Sequence, residues 1–142
     1  MHTAYLGLGS NLGRRPQNLK KAQKLLEECG VHINKASKIY EFEAVSRVRQ
    51  PRFLNMCIKV QTEHSPQKLL NICQLIEKQM GRKKPKPKRI NYELPRIIDI
   101  DILLYDDLKI NTPRLKIPHP RMHLRQFVLK PLNDIAPCVK YL

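Results

Sequence analysis

The chain has 142 residues, 42% of them apolar, which suits one modest domain with its own core and excludes a disordered chain. Lys plus Arg number 27 against 12 Asp plus Glu, and the net charge of +15 favours polyanionic partners: nucleic acid, anionic lipid or a nucleotide polyphosphate. No apolar run approaches the ~20 residues needed to span a bilayer, and the opening segment has no basic region ahead of an apolar stretch, so no membrane partner and a cytoplasmic address (or the cytosol-like interior of a host compartment) are expected.

Residues 4–8 read as a short strand, followed by a turn over Gly9-Ser10-Asn11-Leu12-Gly13. From about Pro16, Leu19, Ala22, Leu25, Leu26 and Cys29 recur at helical spacing, and Gly30 is a good stop. Residues 31–42 alternate loosely and predict a strand, and 43–52 a polar loop containing Pro51. Over 53–60 the alternation is clean: Leu54, Met56, Ile58 and Val60 face one way, Phe53, Asn55, Cys57 and Lys59 the other. Ser65-Pro66 starts a helix whose stripe is Leu69, Ile72, Cys73, Ile76 and Met80, with Gly81 closing it.

A basic, Pro-rich loop over 82–95 precedes the strongest strand, 97–105. Asp106-Asp107 turns into a short strand around 108–110, and a last helix is predicted over about 121–130, ended by Pro131. The order fits an α+β fold, a ferredoxin-like antiparallel sheet with helices packed on one face. Cys29, Cys57, Cys73 and Cys138 form no CxxC pair and sit among apolar neighbours, so they are expected as buried, reduced thiols.

Asp99 and Asp101 stand at i and i+2 of that strand and share a face, while Ile98, Ile100, Ile102 and Leu104 bury the other. Two adjacent carboxylates suit magnesium, which takes one or two carboxylates plus substrate phosphates. Taken alone, the pair reads more readily as the outward acidic face of a half-exposed strand. Arg82 to Arg89 hold six cations in eight residues, and Arg96 lies three residues before Asp99. Cations beside carboxylates are the layout of a metal–polyphosphate site; a solvated loop or a nucleic-acid patch are the alternatives.

Arg114, Lys116, His119, Arg121 and Arg125 add a second basic group suited to phosphate. Phe53 beside Asn55 offers an aromatic plane and a carboxamide to a flat heterocycle. A basic nucleic-acid module would explain the charge but not carboxylates beside Arg96, since these repel phosphate unless a metal intervenes.

The segments GLGSNLG, FLN, LLNICQLIEKQMGR, PRIIDIDILLY and LKIPHPRMHLRQFVLKPLNDIAP, in this order, resemble the 6-hydroxymethyl-7,8-dihydropterin pyrophosphokinase family. The resemblance runs from about Ala4 to Pro137, and the whole of 1–142 is read as a single pyrophosphokinase-like domain. It implies transfer of diphosphate from MgATP to a pterin alcohol in folate synthesis, in a monomer that needs no nucleic acid. By this likeness Asp99 and Asp101 hold two magnesium ions. Arg82, Arg96 and Asp101 are catalytic, and Gln74 and Glu77, on the exposed flank of the second helix, contact the nucleoside. Lys84, Arg114, Lys116, His119 and Arg125 fall where the family binds ATP. Phe53 and Phe127 sandwich the pterin, Asn55 meets its edge, and Val45 belongs to the same pocket. Loops 43–52 and 82–95 flank the site. The chain departs from the family at Phe42-Glu43, where a Thr-Pro pair is usual, and at Lys84, where Arg is common. An inactive paralogue is the remaining alternative.

Overall fold

A computed structural model describes residues 1–45, 49–81 and 95–136. The elements run β1 (His2–Ser10), α1 (Arg15–Glu28), β2 (His32–Ala36), β3 (Tyr40–Phe42), β4 (Phe53–Thr62), α2 (Pro66–Gln79), β5 (Asp99–Tyr105), β6 (Ile110–Asn111), β7 (Lys116–Ile117), a 3-10 turn (Met122–Leu124) and α3 (Gln126–Ile135). The main sheet has the order β2-β4-β1-β5, with β3 also paired to β4, and every pairing is antiparallel. This is the split βαβ arrangement of ferredoxin-like folds. Strands β6 and β7 make a separate two-stranded ribbon.

Local chemistry sets the helices. Proline stands at the start of both α1 and α2, where a missing N–H costs nothing, and the Ser65 hydroxyl accepts from the Lys68 amide at 3.2 Å. Gly30 ends α1 at φ 80°, a left-handed cap that few other residues adopt without strain. Leu19, Ala22 and Leu26 of α1 and Leu69, Ile72, Cys73 and Ile76 of α2 are buried in the main core with Met56, Ile58 and Val60 of β4 and Ile98, Ile100 and Ile102.

Five expectations change. The helices do not share one face: α3 packs on the opposite side of the sheet, burying Val128, Leu132 and Ile135 against Cys57 and Leu103. Pro131 does not end this helix but lies buried inside it. Its apolar face falls at 128, 131, 132 and 135, and packing along that stripe outweighs one lost backbone bond.

The strand expected over 31–42 is broken into β2 and β3, because the register on β4 shifts by one residue between Ile33 and Lys35 and the chain leaves the ladder between Ala36 and Tyr40. Ser37 fills that gap: its hydroxyl accepts from the Cys57 amide at 2.9 Å, and its own amide donates to the Cys57 carbonyl. Strand β1 runs on through Gly9 and Ser10, so the turn begins only at Asn11.

A bulge also interrupts the β1–β5 ladder at Leu103. Leu6 pairs with Ile102, but Tyr5 pairs with Leu104. An extra residue reverses the alternation. Leu104, expected beside Ile98, Ile100 and Ile102, therefore joins the α3 side, and Tyr105 enters the main core. Cys57 and Cys73 are buried free thiols and Cys29 is half-buried; Cys138 lies outside the described residues. Among the described residues, no helix is long and apolar enough to cross a membrane.

Candidate active site

The site begins on the central strand, where the side chains are missing. In register across β4, β1 and β5, Gly9 lies between Asn55 and Asp99, and Gly7 lies between Cys57 and Asp101. Both glycines face the side of the sheet that carries the two carboxylates. With nothing projecting from β1 there, a hollow of about 220 Å³ opens over a floor of Gly7 and Gly9. Phe53 and Asn55 bound it on β4, and Phe127 on α3. A Cβ on Gly9 would stand 3.0 Å from the Asn55 Oδ1 and 3.3 Å from the Phe53 ring, so the close approach of both side chains needs glycine here.

A second hollow, of about 350 Å³, lies on the other side of β5, between α2 and the segment 113–120. Gln74, Glu77, Arg114, Lys116 and His119 line it. Asp99, Asp101 and Arg96 line both hollows. Arg96 pairs with Asp99 at 3.1 Å, and its side chain is only 30% exposed, so the pair is partly shielded from solvent screening.

The electrostatics converge on Asp101. Burial, then the neighbouring Asp99 and Glu77 carboxylates, push its carboxyl from 3.8 up to about 7, although Arg96 and Arg125 pull the other way. A hard cation suits this donor set, for it would take the two carboxylates and fill its remaining positions with phosphate oxygens and water. Among the described residues no three His, Cys, Asp or Glu side chains form a ready metal centre. His119 is held neutral by burial and by Arg125 and Arg121, which lower its pKa below the usual value, so it can serve as a hydrogen-bonding group rather than a cation.

This geometry has close relatives. The 7,8-dihydro-6-hydroxymethylpterin-pyrophosphokinase (HPPK) family model matches residues 5–137. The chain belongs to the HPPK family. It is 45% identical over 139 residues to the 2-amino-4-hydroxy-6-hydroxymethyldihydropteridine pyrophosphokinase of Aquifex aeolicus, covering 98% of this chain and 83% of that one. The Bacillus subtilis protein of the same name is 41% identical, covering 96% and 80%. A folate synthesis bifunctional protein of Arabidopsis thaliana is 43% identical over 92% of this chain but only 26% of its own length, so the chain spans about a quarter of that fused relative. The fold matches that of a Plasmodium falciparum HPPK-DHPS crystal structure with pteroate at a TM-score of 0.76 and 18% identity, over 99% of this chain and 42% of that one.

Set against the HPPK expectations, the hollows sort the residues. Phe53, Asn55, Val45 and Phe127 meet in the first hollow; Gln74, Glu77, Arg114, Lys116 and His119 meet in the second. Arg125, expected with the nucleotide group, lines the first hollow instead, with its guanidinium 5.3 Å from the centre of the Phe127 ring. Glu77 is not on an exposed flank: it is buried, and its carboxylate accepts the Ile100 amide at 2.9 Å. It falls four residues after Cys73, on the apolar stripe itself, which is the signal that marks it as inward. Arg82 and Lys84 lie outside the described residues, as do 46–48 and the rest of 82–94 in the two flanking loops. Gly7, Gly9 and Gln50, none of them among the expected site residues, also line the first hollow, as does Arg121 of the expected phosphate-binding group.

The raised Asp101 carboxyl makes a stability prediction. Between pH 3.8 and about 7 the folded chain holds a proton here that the unfolded chain has released, so this group's contribution to stability declines as pH rises through that window. Asp101→Asn removes the buried charge and should raise the melting temperature of the ligand-free protein at pH 8 by ~5 °C, with little change at pH 5. Calorimetry at the two pH values checks this; a lower melting temperature at pH 8 contradicts it.

Proposed function

We propose that this chain transfers a diphosphate group from ATP to the hydroxymethyl group of 6-hydroxymethyl-7,8-dihydropterin, releasing AMP, the pyrophosphokinase reaction for which its relatives are named. One observation supports the reading above others: the carboxylate pair and Arg96 belong to both hollows, so the two substrates would meet across them. The first hollow takes the pterin. Phe53 and Phe127 supply apolar ring faces for stacking, Asn55 supplies a donor and an acceptor to the heterocycle edge, and Val45 covers it from the loop.

The second hollow takes ATP. Arg114 and Lys116 meet the phosphates, Gln74 and Glu77 the nucleoside, and neutral His119 donates or accepts without adding charge. Asp99 and Asp101 hold two magnesium ions brought with the nucleotide. When bound, these neutralise phosphate charge and polarise the phosphorus under attack. The pterin hydroxyl oxygen then bonds to the β-phosphorus, giving up its proton to water, as the bond from that phosphorus to the AMP oxygen breaks. Little covalent work falls to the protein, so its residues act by holding the partners in line and by offsetting charge.

Arg96, paired with Asp99 and open to both sides, follows the charge as it moves, and Arg125 flanks it on the pterin side. Arg82 and Lys84 keep the transition-state and ATP roles that the family resemblance gives them. The whole of 1–142 acts as one catalytic unit, monomeric and cytoplasmic.

Two measurements test this reading. AMP release from MgATP should require the pterin alcohol, and Asp101→Ala should lower it by at least ~10³-fold in a folded protein; pterin-independent or absent AMP release from the wild type contradicts the reaction. Gly9→Ala should weaken pterin binding ~10-fold while leaving MgATP binding unchanged, because the atoms nearest the added methyl belong to Asn55 and Phe53 of the first hollow. Calorimetric titration of each ligand reads the difference, and an equal loss for both ligands would rule out this division of the site.

A further inference from the structure

Asn11 follows the last residue of β1 and is 1% exposed. Its bonding capacity is spent on two segments distant in sequence. The Asn11 amide donates to the Arg96 carbonyl at 3.0 Å, and its Oδ1 accepts the Arg96 amide at 2.6 Å. Its Nδ2 donates to the Gln50 Oε1 at 3.0 Å and to the Pro51 carbonyl at 3.1 Å. The turn that carries it is braced by Asn18, whose Nδ2 donates to the Ser10 hydroxyl at 3.1 Å and to the Leu12 carbonyl at 2.8 Å.

The two segments it joins belong to different parts of the site. Gln50 lines only the first hollow, and Pro51 leads directly into Phe53 and Asn55; Arg96 lines both hollows and leads into Asp99. We propose that Asn11 is a positioning residue that fixes the pterin wall at 50–51 relative to Arg96, so that the acceptor and the shared cation keep one spacing. The inference rests on the reaction proposed above. It predicts that the two ends of one carboxamide have separable effects. The oxygen end holds Arg96, and the nitrogen end holds the pterin wall.

Asn11→Asp separates them. It keeps an acceptor for the Arg96 amide but sets an oxygen against the Pro51 carbonyl and the Gln50 Oε1, neither of which donates. Asn11→Asp should raise the KM for the pterin ~10-fold, leave kcat and the KM for MgATP within ~3-fold, and leave exchange of the Arg96 amide as slow as in wild type. Asn11→Ala releases both ends. It should raise the pterin KM, lower kcat ~100-fold and speed Arg96 amide exchange at least ~10-fold.

Gln50→Ala supplies an arm with little risk to folding. It should raise the pterin KM alone and add less than its full effect to Asn11→Asp, because the two share one contact. A merely structural Asn11 would instead lower kcat with both KM values unchanged, as a smaller active fraction does; that result, or full additivity with Gln50→Ala, overturns the proposal. Amide exchange is read on the free protein, so it judges the Arg96 anchor even where wild type fails to form AMP. Equal exchange rates in Asn11→Asp and Asn11→Ala overturn the anchor by themselves.

Discussion

Two carboxylates held on one face of a partly buried strand repel each other, and the rest of this site is organised around that repulsion. Asp99 has an arginine at 3.1 Å. Asp101, with the buried Glu77 behind it, is left with its carboxyl pushed up to about 7. A core would remove such a group, since an uncompensated buried charge costs more than an apolar replacement. Its retention fits a site where a bound cation would offset the cost of that buried charge. The fold therefore carries a local instability that binding relieves, which is where function and stability most often conflict.

The sheet makes this arrangement possible by what it omits. Two glycines on the central strand leave a floor, and the carboxylates and the aromatic ring stand on the strands at either side. The two faces have separate tasks. One is filled by α1 and α2 and fixes β5 through Ile98, Ile100 and Ile102. The other is filled by α3 only at one end, beyond the Leu103 bulge, so the opposite end stays open for ligands. The bulge marks the border: before it the outward residues are carboxylates, after it they are apolar and covered. Bulges beside functional sites commonly re-aim side chains in this way.

The sequence made some of this legible because the information was local. Alternation along β4 separated Met56, Ile58 and Val60 from Phe53 and Asn55, and the spacing of Asp99 and Asp101 put both on one face. Pro66, Gly30 and Gly81 bounded the helices within a residue or two. What escaped depended on contacts between distant segments. Gly9 reads as a turn residue, and Gly7 as one more strand position, until their neighbours across the sheet are known. Asn11 also reads as a turn residue, because its partners at 50, 51 and 96 are far off in the chain. Pro131 carried a strong local signal that buried packing overrode, and Leu104 was misassigned because no residue type announces a bulge. Glu77 was readable in principle from the helical period and was missed because its charge argued for the surface.

The central claim is that Asp101 is a carboxylate short of positive charge until MgATP is bound. Carbon-13 NMR of the Asp101 carboxyl, titrated in the free protein and again with magnesium and a non-hydrolysable ATP analogue, tests it most directly. The account predicts a midpoint near 7 in the free protein, from its burial and its acidic neighbours, and ionisation throughout the neutral range with the metal–nucleotide bound. A free-protein midpoint near the ordinary 3.8, unmoved by magnesium and nucleotide, would contradict it.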